Sequence, residues 1–138
     1  MTVELANERD LETLLKWLHS DFDPETGEGF WGNRIDIKNY FNWGLLRVVK
    51  EGNKAVAFLA GGDDWIAYLV TKSDKRHRGY GAELLNAHEA RARTNGVDEI
   101  RGECPRQGPI EFWWKFGFVS PPLEQQPAAN IPIKKAIF

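Results

Sequence analysis

Three strand-like segments in close succession, between Leu45 and Lys72, constrain the fold of this chain more than any other feature. The stretch LLRVVKEGNKAVAFLAGGDDWIAYLVTK is rich in β-branched and aromatic residues, and only EGN and GGDD interrupt it. Both interruptions combine glycine with Asn or Asp, the residues that tight hairpin turns require. The pattern therefore predicts three consecutive strands joined by two hairpins, which form the antiparallel part of a sheet.

Segments with helical spacing lie on both sides of these strands. Asn7 is a predicted N-cap for a first helix, whose leucines recur at i, i+3, i+4 and i+7 and form one apolar face. The order of elements is β-α-(α)-β-β-β-α-β-α-β, so we expect an α+β fold with a mixed sheet and helices packed on it. Further helices are predicted over 35–43, 79–94 and 109–116, and further strands over 2–6, 97–104 and 131–138.

The composition is that of an ordinary globular protein, with 42% hydrophobic and 28% charged residues. A length of 138 residues suits a single domain over 1–138. The net charge of −2 argues against a protein whose main work is to coat nucleic acid. The single cysteine, Cys104, suits a reducing compartment. No apolar stretch approaches the roughly 18 residues of a membrane span, and no secretory pattern is visible, so we expect a cytoplasmic protein.

A basic turn that contains glycine, KSDKRHRGYG, stands between the third of these strands and the next predicted helix. Helix starts expose unpaired N–H groups with a partial positive charge, and glycine lets several of them face one anion. A phosphate or diphosphate is the natural ligand of such a turn. A P-loop is excluded because G-x-x-x-x-G-K-S/T is missing, and GYGAEL has Leu84 where a dinucleotide fingerprint needs glycine. The alternatives are a solvated loop that only caps the helix and a nucleic-acid contact, which the acidic balance of the chain disfavours.

The turn resembles the diphosphate loop of the GNAT superfamily, the acyl-CoA N-acyltransferases. That loop has the pattern Q/R-x-x-G-x-G/A, which Arg76, Gly79 and Gly81 match. The order of elements is similar to the family over most of the chain. The resemblance implies a GNAT-like fold, with a central mixed, mostly antiparallel sheet of about six strands flanked by about four helices.

A second stretch, FWWKFGF, resembles another pattern of this family, N-x-x-A-x-x-F-Y-x-K-x-G-F. It departs from that pattern at three positions, where Arg106 replaces Asn, Pro109 replaces Ala and Trp113 replaces Tyr. The residues that match are Phe112, Lys115, Gly117 and Phe118.

The resemblance implies transfer of an acetyl (acyl) group from acetyl-CoA, as co-substrate, to a primary amine. Backbone N–H groups from His77 to Ala82 would hold the CoA diphosphate, and Arg76 would shape the loop or add charge. Backbone groups of the strand before the loop would pair with the pantetheine amides, as an added strand would. The implied cofactor-binding residues are Leu69, Val70, Thr71, Arg76, His77, Arg78, Gly79, Tyr80, Gly81, Ala82 and Trp113.

The chemistry of amine acylation sets three requirements. The amine must be neutral, the thioester oxygen needs a donor such as the N–H of Val70 or Thr71, and the leaving thiolate needs a proton. Many relatives place a Tyr near the sulfur, whereas Trp113 here offers an indole N–H that it cannot usefully give up. Tyr68 could serve as the acid, or lie on the sheet surface.

Glu103 is a candidate base, and Asp63 and Asp64 of GGDD are two others. The alternatives are a solvated strand end for Glu103, turn chemistry for the aspartates, and a water relay without a dedicated base.

The acceptor side is predicted in residues 20–42, which mix acidic and aromatic residues. Acids attract a cationic amine and rings stack on it, so we expect a small-molecule or peptide amine as the acceptor. The alternative is that the rings belong to the core and the acids are solvated side chains of a loop.

Trp113 and Trp114 could pack a homodimer or cover the acyl site. We expect no metal, because His19, His77 and His88 lack the spacing of metal ligands.

Two rival functions stay open at this stage. The first is a non-catalytic GNAT-like domain that binds CoA and has a regulatory or partner-binding role; the replacement at Trp113 favours it. The second is an RNA- or DNA-binding module that uses KSDKRHR, and this reading predicts nucleic-acid affinity with a steep salt dependence.

Overall fold

The computed structural model describes residues 2–105, 108–122 and 130–137. Within these residues the α+β fold is the predicted one, a mixed sheet of six strands with four α-helices in the expected order. The strands lie in the sheet in sequence order: β1 (Val3–Leu5), β2 (Leu46–Glu51), β3 (Lys54–Gly62), β4 (Trp65–Thr71), β5 (Glu99–Cys104) and β6 (Ile131–Ala136). The helices are α1 (Glu8–Asp21), α2 (Arg34–Asn42), α3 (Tyr80–Thr94) and α4 (Ile110–Lys115).

The chain divides into two compact units. The first comprises Met1–Gly61 and Tyr68–Ala87, and the second comprises Gly62–Ala67 and His88–Phe138. The end of β4 and the start of α3 belong to the first unit, together with the loop that joins them. Helices that combine the length and apolar character needed to cross a bilayer are absent from the described ranges.

In the first unit, α1 begins where the sequence predicts. Asn7 Oδ1 accepts a hydrogen bond from Asp10 N at 2.9 Å, and Asp10 Oδ2 accepts one from Asn7 N at 3.0 Å. This reciprocal capping box satisfies two backbone donors at the helix start. Leu14 and Leu18 of the predicted apolar face are buried in the core. Burial of each such side chain contributes roughly 1.5–3 kcal/mol, so this face holds the helix against the sheet.

The hairpin of β2 and β3 provides the surface on which α1 packs. Trp17 Nε1 donates to Ala55 O at 2.9 Å, which ties the helix to the start of β3. Glu51 pairs with Lys54 across the turn, so only two residues connect the strands. Gly52 in this turn has φ 66°, the left-handed conformation that two-residue hairpins favour. The predicted EGN hairpin is therefore confirmed, and it leaves Glu51 at the end of β2.

In the second unit, β5 pairs antiparallel with β6 along its length and parallel with the first residues of β4. The parallel register joins Trp65 to Arg101 and Ile66 to Gly102. A Cβ added at Gly102 would lie 2.9 Å from Ile66 O, so the close approach of these strands requires glycine.

The ends of α3 follow the glycines that the sequence places there. The helix begins at Tyr80 rather than at Gly79, because Gly79 has φ 86° and cannot continue a right-handed turn. At the other end, Gly96 has φ 80° and Val97 N donates to Ala92 O at 2.9 Å. This is a glycine C-cap.

Candidate functional site

The loop between β4 and α3 has an unusual backbone. A single 3-10 turn at Ser73–Lys75 is followed by an extended residue, Arg76, with φ −69° and ψ 161°. His77 then adopts φ 66°, and among the described residues it is the only non-glycine with positive φ. Gly79 follows with φ 86°, and a Cβ built there would meet no atom within 4 Å. The left-handed conformation, rather than crowding, therefore explains glycine at 79, and the space over its backbone is open to a ligand.

The first turn of α3 presents backbone donors beside this open space. The first intrahelical bond of the turn runs from Glu83 N to Gly79 O at 3.1 Å. The N–H groups of Tyr80, Gly81 and Ala82 precede that bond, so they have no acceptor within the helix. Their partial positive charge favours an anion at this point. The residues predicted from the loop pattern thus lie on one continuous stretch of backbone.

The strand before the loop, β4, pairs with β5 only at its first two residues. The parallel pairing of β4 with β5 covers only two residue pairs and ends at Ile66. The backbone of Tyr68–Thr71 therefore takes no part in that ladder, although β4 continues as a strand to Thr71. Val70 is buried, while Leu69 and Thr71 are partly exposed. Backbone groups outside a ladder can pair with the amides of an extended ligand.

Two cations of the loop contact a carboxylate from another element. Lys75 Nζ donates to Glu51 Oε1 at 2.8 Å, and Arg78 Nη1 donates to Glu51 Oε2 at 2.9 Å. Tyr80 Oη donates to the same Oε2. The hydrogen bond from Lys75, followed by that from Tyr80, lowers the pKa of Glu51 to about 2. The carboxylate also raises the pKa of Tyr80 above its usual value. Glu51 is therefore ionised and Tyr80 protonated at neutral pH.

A second carboxylate holds the start of the loop. Asp21, the last residue of α1, accepts from Ser73 N at 2.9 Å and from Ser73 Oγ at 2.7 Å. An open cleft of about 510 Å³ lies beside this contact, and it is lined by α1, the first residue of β3 and the start of the loop. The cleft carries Lys16, Lys54 and Lys72 together with two aspartates, and none of the predicted catalytic or cofactor-binding residues lines it.

Tyr68 makes hydrogen bonds to two polar side chains and ring contacts to two aromatic side chains. Its Oη donates to Asp36 Oδ2 at 2.8 Å and accepts from Asn33 Nδ2 at 3.3 Å. The rings of Phe30 and Tyr40 meet the Tyr68 ring edge-on, with centroids 6.0 and 6.4 Å away. Burial, followed by the hydrogen bond to Asp36, raises the pKa of Tyr68 to about 12. Its hydroxyl therefore keeps its proton at neutral pH and can act as a donor, but it cannot act as a base.

Glu103 and Trp113 lie in the second unit. Glu103 is exposed on β5, where its Oε2 accepts from Asn130 Nδ2 at 3.1 Å. Trp113 is 6% exposed on α4, with its ring 5.1 Å from Phe118 in an edge contact. Cys104 is buried, and burial raises the pKa of its thiol, so it is an unreactive core residue.

The structure brings the residues from Arg76 to Ala82 together with the end of β4 in one unit. It assigns Tyr68 to that unit, and Glu103 and Trp113 to the other. Arg106, where the sequence departs from the family pattern, lies outside the described residues. No group of three or more His, Cys, Asp or Glu that could hold a metal occurs within the described ranges.

Sequence reasoning did not find three acids that contact the site: Glu51, Asp21 and Asp36. The sequence pattern places Glu51 only in a hairpin turn, and it places Asp21 and Asp36 only in a region rich in acidic residues. Between 24 and 52 residues separate these acids from the side chains that they hold. Local sequence patterns carry no signal at that separation, although a lone acid beside a tight hairpin and several cations in one loop are complementary charges.

The sequence matches the family model described as the acetyltransferase (GNAT) family over residues 11–118. A search of curated proteins finds no match.

Three solved structures illustrate the similarity in fold. The PaiA N-acetyltransferase of Thermoplasma acidophilum, solved with coenzyme A, is 19% identical, with a TM-score of 0.77 over 99% of both chains. Ard1 of Thermoplasma volcanium is 17% identical, with a TM-score of 0.74 over 99% of this chain and 97% of that one. A GNAT-family acetyltransferase of Bacillus cereus ATCC 10987 is 20% identical, with a TM-score of 0.70 over 98% and 94%.

Proposed function

Because the chain belongs to the acetyltransferase (GNAT) family, we propose that it acetylates the primary amine of a small molecule or peptide by direct attack in a ternary complex. Membership makes it an acyl-CoA N-acyltransferase with acetyl-CoA as co-substrate. The observation that carries the proposal is the loop before α3, where left-handed His77 and Gly79 lead into three unpaired helix N–H groups. We treat residues 1–138 as one such domain.

The cofactor side of the proposal uses backbone more than side chains. The N–H groups of His77–Ala82 hold the diphosphate of CoA, and Arg76 adds charge at the same place. Leu69, Val70 and Thr71 offer backbone groups outside the β4–β5 ladder to the pantetheine amides. The N–H of Val70 or Thr71 donates to the thioester oxygen as negative charge develops there.

The acceptor side is the cluster around Tyr68. Asp36 is exposed at the surface, and the rings of Phe30, Tyr40 and Tyr68 lie around its hydrogen bond to Tyr68. A carboxylate beside aromatic rings suits an ammonium group, which gains both ion pairing and cation–π attraction. The proposed acceptor is therefore a cationic amine, such as a diamine or a peptide with a free amino group.

The proton balance assigns limited roles to side chains. The nitrogen lone pair forms the C–N bond, the C–S bond breaks, and the nitrogen loses a proton to water or to Glu103. The thiolate then takes a proton from solvent or from a nearby donor. Tyr68 donates a hydrogen bond in this scheme, because its raised pKa of about 12 makes full transfer of its proton costly. Orientation of the two substrates supplies much of the rate.

Release of CoA thiol tests this proposal directly. Purified protein would be incubated with acetyl-CoA and a panel of amines that are cationic, neutral or acidic apart from the reacting nitrogen. We expect turnover with a preference for the cationic members, and the preference should weaken as salt increases. Tight CoA binding without acyl transfer to any amine would instead favour a non-catalytic, CoA-binding role, and equal rates across the panel would refute the cationic acceptor.

A further inference from the structure

We propose that Glu51 is a positioning residue for the CoA-binding loop. It lies at the end of β2, outside the loop, and it holds two loop side chains and the first side chain of α3 at once. This inference rests on the proposed binding of CoA at that loop. It assigns to the β2–β3 hairpin a role in cofactor affinity in addition to its role in the sheet.

The contacts of Glu51 reach both halves of the loop. Lys75 belongs to the 3-10 turn, Arg78 lies between the two left-handed residues, and Tyr80 is the first residue of α3. Each donates to one of the two oxygens of Glu51, with Lys75 at 2.8 Å and Arg78 at 2.9 Å. His77 and Gly79, whose backbone shapes the proposed diphosphate site, therefore lie between residues that Glu51 fixes.

The loop has little backbone bonding of its own. Among described residues, Lys72 N donates to Val56 O at 2.8 Å and Lys75 N donates to Lys72 O at 2.9 Å, while Glu83 N donates to Gly79 O at the helix start. In this described stretch, the backbone N–H groups from Arg76 to Ala82 donate to no backbone carbonyl. A left-handed non-glycine residue such as His77 is strained and persists only when its surroundings hold it. The side-chain bonds to Glu51 supply that hold.

Two physical effects of Glu51 oppose each other, and the experiment distinguishes them. By charge alone, a carboxylate near the loop repels the diphosphate, so its removal would tighten CoA binding. By preorganisation, the carboxylate keeps the loop in its binding shape, so its removal would make CoA bear the cost of ordering the loop. Arg78 and Lys75 already compensate the charge of Glu51 at close range, so we expect preorganisation to dominate.

The test compares Glu51→Gln with wild type in CoA binding by calorimetry and in steady-state kinetics. Glutamine keeps the size of the side chain and can still accept from Tyr80, but it loses the two ion pairs. We expect the Kd for CoA and the KM for acetyl-CoA to rise about tenfold. The kcat and the KM for the amine should stay within about twofold, because neither the thioester site nor the acceptor cluster contacts Glu51.

Glu89→Gln is the matched control. Glu89 also holds two cations, Arg93 at 2.9 Å and Lys135 at 3.1 Å, but it lies in the second half of α3. The same substitution should lower the melting temperature of the protein without changing its affinity for CoA.

The outcomes separate this inference from the proposed function. If wild type binds CoA and Glu51→Gln binds it equally well or more tightly, the positioning role is refuted while the proposed function stands. If wild type binds no CoA at all, both fall. A loss of CoA affinity in Glu89→Gln as large as that in Glu51→Gln would show a general effect of stability, and it would also overturn the inference.

Discussion

At the residue scale, two tyrosine–carboxylate pairs keep both tyrosine protons in place. Tyr80 donates to Glu51 and Tyr68 donates to Asp36. The cations around Glu51 lower the pKa of that carboxyl to about 2, whereas burial raises the pKa of Tyr68 to about 12. Both hydroxyls are therefore donors throughout the neutral range. Each of these two tyrosines can therefore act through hydrogen bonding and position, rather than through the basicity of its oxygen.

The proposed preference for a cationic acceptor depends on Asp36. In the wild-type protein, Tyr68 Oη donates to Asp36 Oδ2 at 2.8 Å. Asp36→Asn removes the negative charge but keeps an oxygen that can accept this hydrogen bond. We expect the KM for cationic amines to rise about tenfold, while rates with neutral amines change little. Steady-state kinetics with a matched pair of amines, one cationic and one neutral beyond the reacting nitrogen, measure the difference.

Tyr68→Phe is the companion variant, since it removes the hydroxyl and keeps the ring and the charge of Asp36. It should retain the preference for cationic amines. Loss of the preference in Tyr68→Phe but not in Asp36→Asn would mean that the hydroxyl, rather than the carboxylate, recognises the acceptor.

At the element scale, the loop before α3 depends on a glycine whose conformation other residues adopt with strain. Gly79→Val places a branched side chain at φ 86°, over the backbone proposed to face the diphosphate. The left-handed conformation costs a non-glycine residue about 1–2 kcal/mol, and the new side chain also obstructs the ligand. We expect a large loss of CoA affinity in calorimetry, with little change in the circular dichroism spectrum.

Gly96→Val separates backbone strain from obstruction. Gly96 has φ 80° and open space around a Cβ, much as Gly79 has, but it caps the other end of α3. Both variants should lose stability to a similar extent, and only Gly79→Val should lose CoA affinity. Equal affinity losses in the two variants would remove the loop from the binding site.

The sequence predicts those elements whose causes are local. Asn7 and Asp10 cap α1 three residues apart, Gly52 sets the β2–β3 hairpin, and Gly79 and Gly96 set the ends of α3. Each of these relations lies within one turn of chain, so a pattern of neighbouring residues is sufficient. The order of elements then determines the sheet, because short connections leave few topologies.

The candidate site is less predictable because its parts come from distant segments. The loop before α3 is local and its pattern is visible, whereas Asp36 and Glu51 meet Tyr68 and this loop only after the strands pair. Trp113 illustrates the opposite case. The family pattern places this residue near the cofactor, but its side chain is packed against Phe118 in the core, a contact that no spacing reveals. Its role toward the cofactor stays a prediction.

At the scale of the whole molecule, cofactor binding should appear as added stability, since a ligand that binds only the folded chain shifts unfolding by mass action. At a free concentration one hundred times its Kd, a ligand adds about 2.7 kcal/mol to the free energy of unfolding. For a chain of 138 residues, this raises the melting temperature by roughly 5–10 °C.

The choice of ligand tests which part of the cofactor the molecule recognises. If the amides of His77–Ala82 provide the main contact, CoA and acetyl-CoA should raise the melting temperature by similar amounts, because both carry the diphosphate. Pantetheine, which lacks the phosphates, should give little shift at the same concentration. Thermal scans by calorimetry with the three ligands make this comparison, and equal protection by pantetheine would move the main contact from the loop to the end of β4. The shift by CoA should also shrink as salt increases, because part of its cause is attraction between the phosphates and exposed cations such as Arg76.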